Sequence, residues 1–193
     1  MNEQIDGILI TPEGEAERLW RSAEEALILS SGSFVQLFQA VELGVRVVEI
    51  VAVAQLQRVR HRFPATITSL LESPPVEVEP IRDFVHPPRS LRFVDIVDML
   101  SEEDLPCLSQ GLHRGWEDRV ESCRRTRDIA QSATNMSIGP TERENLTMIG
   151  AYRNRLFEMP PTLKVVPADV IGAYPALAII AERLLASTKA MPV

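Results

Sequence analysis

Apolar residues recur at three- and four-residue steps from Ala16 through Leu19, Trp20, Ala23 and Ala26 to Leu27, with Glu17, Arg18, Arg21, Glu24 and Glu25 between them. That is the period of a helix burying one face. Thr11-Pro12 marks its start, since Thr caps a first turn and Pro fits the first helical position. Ser30-Ser31-Gly32-Ser33 ends it as a loop. The pattern then changes. Ile8 to Thr11 before the helix and Phe34 to Ala40 after it are short apolar runs and read as buried strands. Leu43 to Leu56 is rich in β-branched residues, which favours strand, but its length and the spacing of Arg46, Glu49 and Gln55 favour a buried helix.

Past Pro64 the pattern predicts extended chain at Ala65 to Leu71 and at Val76 to Glu79, divided by Ser73-Pro74-Pro75. Arg82 to Ser90, with Pro87-Pro88, reads as a surface loop, and Ser90 to Leu100 as a strand or a short helix. From Ser101-Glu102-Glu103-Asp104 onward the signals are helical. Thr141 to Glu144 after Gly139-Pro140 has the form of a capping box, and Met159-Pro160-Pro161 is a stop. Tyr174-Pro175 is predicted to open a final helix with Leu177, Ile180, Ala181 and Leu184 on one face. The expected fold is therefore α+β. A small mixed sheet with two helices, in the order β-α-β-α-β-β, spans 1–101, and a helical extension spans 102–193.

Net charge changes the functional picture more than any motif. At −7, with a pI near 5.1, the chain is a poor coat for nucleic acid, which is gripped by clustered cations. Lys164 and Lys189 are its only lysines, so the remaining basic residues are arginines. With 45% hydrophobic and 24% charged residues, the 193-residue chain is expected to fold and to bury a core without metals or disulfides. The apolar windows 41–56 and 170–185 contain charges and are short for a membrane span, so they read as core and no membrane partner is expected. Cys107 and Cys123 are too few for a disulfide framework, and Met1 to Asp6 lacks the form of an export signal. An intracellular, cytoplasmic protein with no disulfide is expected.

Candidate chemistry is sparse. His61, His86 and His113 have no spacing that pairs them on a helix, and no phosphate loop, dinucleotide fingerprint or nucleophile elbow occurs. Cys107, His113 and Cys123 match no zinc module, so no metal and no cofactor are expected. Asp95 with Asp98, and Glu117, Asp118 and Glu121 among arginines, read as salt-bridged faces rather than catalytic carboxylate pairs. Trp20 and Trp116 read as core anchors.

In element order and length, Ile8 to Thr11, the helix after Pro12, Phe34 to Ala40, the apolar helix from Leu43 and the hairpin through Arg82 to Ser90 resemble the Alba superfamily of small nucleic-acid-binding proteins. The resemblance covers about half the chain and implies RNA binding. The family places lysine in its first loop, where this chain has Thr11-Pro12-Glu13-Gly14. Phosphate contacts would then fall to Arg58, Arg60 and Arg62 after the second helix, and to Arg82, Arg89 and Arg92 around the hairpin. Three functions follow as expectations. The first is a non-catalytic, RNA-associated or complex-forming subunit. The second is a structural subunit that binds other protein subunits or copies of itself without nucleic acid. The third is an enzyme with a dispersed site.

Overall fold

The computed structural model describes residues 11–30, 34–72, 91–102, 116–158 and 167–189. Among these the chain forms seven α-helices: α1 (Pro12–Leu29), α2 (Phe34–Arg58), α3 (Ala65–Glu72), α4 (Phe93–Leu100), α5 (Trp116–Thr134), α6 (Pro140–Glu158) and α7 (Pro167–Lys189). No strand occurs among the described residues, and the single isolated β-bridge joins Ser101 to Ile138. The expected α+β fold with its mixed sheet is thus overturned, and with it the Alba-like order of elements.

The reasons are local. Phe34 to Ala40 is not a strand but the opening of α2, because Leu37, Ala40, Val41, Val45, Val48, Val51, Ala52 and Leu56 fall on one buried helical face. Leu43 to Leu56 is helical, despite its β-branched residues. Ala65 to Leu71 is also helical, its first turn closed by Ile67 and Thr68 N–H groups donating to the Pro64 carbonyl. Within the stretch expected as a strand or short helix, Phe93–Leu100 forms the short helix α4, with Ser101 as its C-cap. The expected elements at Ile8 to Ile10, Val76 to Glu79 and Arg82 to Ser90 lie outside the described residues.

Helix ends follow the sequence more closely. Thr11 accepts a hydrogen bond from the Gly14 amide at 3.1 Å, and Pro12 is the first helical residue. At α6 the capping acid is Glu142, but it receives the amide of Gly139 at 2.8 Å, so the cap lies two residues before Thr141. α5 closes on Asn135, whose φ of 50° lets the Met136 amide reach back to the Gln131 carbonyl at 3.2 Å. α7 starts at Pro167, well before the expected Tyr174-Pro175, and carries Pro175 inside it on the exposed side.

α2 is the axis of the molecule, and every other described helix touches it. α1 lies along it as an antiparallel hairpin, and α7 packs on α2, α1 and α6. Helices from both sides of residue 101 share one hydrophobic core. Two glycines set the closest approaches. A Cβ at Gly44 would stand 2.9 Å from Leu177 of α7, and one at Gly150 would stand 2.9 Å from Val94 of α4. By length and composition α7 can cross a membrane, but half of its most apolar window is buried against these neighbours.

Candidate functional site

Among the described residues, Arg58, Arg60, Arg62 and Arg92 do not form one open cationic face. Arg58, at the end of α2, is held by Glu13 of α1 at 2.8 Å. Arg60 lies 3.8 Å from Glu72 of α3, and Arg62 is exposed beside it. Arg92 is exposed and folds along its own helix. Its guanidinium reaches Asp95 at 3.1 and 3.3 Å, and its backbone amide donates to the same carboxylate at 3.1 Å. This engagement holds the Arg92 pKa above its ordinary value. Arg82 and Arg89 lie outside the described residues. Because α4 meets α2 near Glu49, nine residues before Arg58, Arg92 enters about 14 Å along the helix from that end.

The strongest polar constellation is one that sequence reasoning passed over. Arg153 of α6 donates to both oxygens of Glu42, at 2.7 and 3.1 Å, and to Glu49 at 2.7 Å. The same Glu49 oxygen accepts the Phe93 amide at 3.1 Å. One guanidinium thus ties α6 to α2 at two points, and Glu49 supplies an acceptor for the otherwise unpaired first turn of α4. The three side chains keep only 15%, 22% and 23% of their surface exposed. Burial pulls the Arg153 pKa down, but its two carboxylate partners outweigh burial and leave it raised. For Glu49 burial is the larger effect and pushes the carboxyl above its usual range, against Arg153 and the Phe93 amide. The signal was present in the sequence. Glu42 and Glu49 stand about two turns apart on one side of an otherwise apolar helix, and acids so placed require a cation.

Asp98 of α4 forms the second such tie, accepting two bonds from Arg143 of α6 at 3.2 and 3.3 Å. Burial raises its pKa as well, and does so more strongly than Arg143 lowers it. Asp95 and Asp98 therefore serve two different arginines. Both raised acids have the same consequence for stability. Their contributions are fully present below the ordinary values of 4.5 and 3.8, and are lost as pH rises through the higher folded-state values. The combined variant Glu49→Gln, Asp98→Asn is expected to gain thermal stability relative to the parent as pH rises from about 4 to about 8. Scanning calorimetry across that range checks it, and a gap that shrinks with pH would contradict it.

Gln55 donates to the Leu184 carbonyl at 3.3 Å and to the Ser187 hydroxyl at 2.6 Å, joining α2 to the far end of α7. Tyr174 is buried, and desolvation together with Glu24 and Glu182 pushes its pKa up to about 12. Trp20 is buried in the core. His61 is exposed, and Trp116, His86 and His113 carry side chains outside the described set. Cys123 is disulfide-bonded, contrary to the expectation of no disulfide; Cys107 lies outside the described residues. No group of three or more potential metal ligands occurs among the described residues.

Apolar side chains, by contrast, stand at the surface at one end of the α1–α2 pair and along α7, besides Met148 of α6. Ile28 and Leu29 close α1 with 77% and 63% exposure, and Val35 stands in the first turn of α2 with 68%. Ile171 and Ile179, two turns apart on α7, are 54% and 46% exposed. The arrangement offers ion pairs that lock helices together and apolar positions that face outward. No family model, no curated protein and no solved structure matches the chain.

Proposed function

We propose that this chain is a non-catalytic structural subunit that associates with copies of itself, and not an RNA-associated one. The exposed apolar residues carry this reading. Single exposed aliphatics are ordinary on any protein surface, but Ile28, Leu29 and Val35 share one end of the α1–α2 hairpin, and Ile171 and Ile179 share one helix face. The arginines support it from the other side. Arg58, Arg60 and Arg92 each have an acidic neighbour in the fold, so a phosphate would compete with a carboxylate already in place. A net charge of −7 adds long-range repulsion.

Light scattering on the eluting protein is expected to give a mass above 21.6 kDa that rises with concentration. Titration against single-stranded RNA at physiological ionic strength is expected to give no salt-sensitive affinity, whereas phosphate contacts would each add about 0.7 to the slope of log affinity against log salt. A monomer at every concentration, or a steep salt-dependent RNA affinity, would overturn the reading.

A further inference from the structure

The outer face of α7 has the spacing of a helix seam and is exposed among the described residues. Ala168, Gly172, Pro175, Ile179, Glu182 and Ala186 alternate four- and three-residue steps along it, the spacing of the contact positions in paired helices, and all six are exposed. Gly172 is the telling member. Glycine inside a helix costs about 1 kcal/mol relative to alanine, and at Gly44 and Gly150 a close neighbour accounts for it. At Gly172 an added Cβ would meet nothing within 4 Å, so nothing among the described residues requires it. The open space there gives a second helix room to approach closely from outside.

Charge identifies that helix. Asp169 and Arg183 flank the seam fourteen residues apart, which is two heptads, so they occupy the same flank. Neither has an ion-pair partner among the described residues. In a parallel pairing Asp169 of one copy and Arg183 of the other would stand fourteen residues, about 21 Å, apart along the axes and could not meet. In an antiparallel pairing each Asp169 faces an Arg183, twice over. We infer that the outer face of α7 pairs antiparallel with the same face of a second copy of this chain, with Asp169 of each opposite Arg183 of the other.

The register follows. Ile179 of one copy packs on Pro175 of the other at both sides of the twofold axis, and Ala168 meets Ala186. Glu182 lies over Gly172, where the missing side chain leaves room for its stem while its carboxylate reaches water. Asp169 and Arg183 then come within about 3 Å of the same height along the helix axes, since each residue rises about 1.5 Å. A lipid surface is the poorer occupant, because Asp169, Glu182 and Arg183 all point outward and would enter the apolar layer. This inference rests on the self-association proposed above and names its surface.

The test uses the full chain and its variants, with circular dichroism confirming the fold. Light scattering is expected to show a dimer for the parent and a monomer for Ile179→Glu. Asp169→Arg and Arg183→Asp are each expected to weaken dimerisation about tenfold, because attraction becomes repulsion at two exposed pairs. Mixing these two single variants is expected to restore the dimer, as is combining both substitutions in one chain. A parent dimer indifferent to Ile179→Glu and to the charge exchange would overturn the α7 interface while leaving self-association intact. A monomeric parent would overturn both. Binding of the parent to phosphatidylcholine–phosphatidylglycerol vesicles, lost in Ile179→Glu, would assign the face to lipid and overturn the pairing.

Discussion

Leu177→Ala is expected to destabilise the protein by about 3 kcal/mol in chemical denaturation, within the 2–5 kcal/mol usual for deleting a buried leucine side chain. Leu177 has no exposed surface and lies where α7 presses on Gly44 of α2, with Trp20 of α1 behind it. The removed atoms leave a void that two long helices cannot close without shifting along their length. Gly44→Ala alone is expected to cost about 1–2 kcal/mol, because overpacking against Leu177 outweighs the gain in helix propensity. In the Leu177→Ala background the same methyl enters the void and becomes stabilising. The two changes are therefore expected to couple by more than about 1 kcal/mol in a double-mutant cycle. Simple additivity would show that α2 and α7 do not meet through these residues.

Arg153→Met is expected to cost about 3 kcal/mol at neutral pH, the low end for breaking a buried ion pair, because the cluster keeps some contact with water. The loss comes mainly from Glu42 and Glu49, left facing each other without a cation. Acid should therefore relieve it, since protonation of Glu49, whose pKa is already raised by burial, removes one of the two charges. Adding Glu42→Leu and Glu49→Gln is expected to recover most of the stability, with the Gln carbonyl still accepting the Phe93 amide. Denaturation midpoints at about pH 5 and pH 8 check both statements. A cost that grows on acidification would refute the account.

These residues also show what was legible beforehand. α1 could be read because one side of it faces water, so polar and apolar residues separate cleanly around Ala16, Leu19 and Ala23. α2 is flanked by all the other described helices, so partly buried positions such as Leu43, Ile50, Val53 and Ala54 are apolar too and its helical period is blurred. Its opening, Phe34 to Ala40, was accordingly read as strand. In α3, Ile67 and Thr68 favour extended chain locally, but Thr68 directs its hydroxyl to the Arg60, Phe63 and Pro64 carbonyls and secures the turn. Pro175 was read as a helix start, although its ring lies on the exposed side, where the freed carbonyl can be solvated. As for the site, no local pattern could pair Arg58 with Glu13 or Arg153 with Glu42, which lie 45 and 111 residues apart. Such pairings decide whether an arginine is available to a ligand, and they belong to the tertiary fold.

The central position of α2 has a consequence for synthesis. Gln55 waits for carbonyl and hydroxyl partners on α7 that lie 129 and 132 residues downstream. At roughly 5–20 residues per second, translation of that interval takes on the order of ten seconds. During this time α1 can cover only one side of α2, and the side destined for α7 stays open. Nascent chains at this stage would be natural clients for holding chaperones. Messages broken before the codons of α7 would yield products whose longest apolar helix stays uncovered, marking them for proteolysis rather than accumulation.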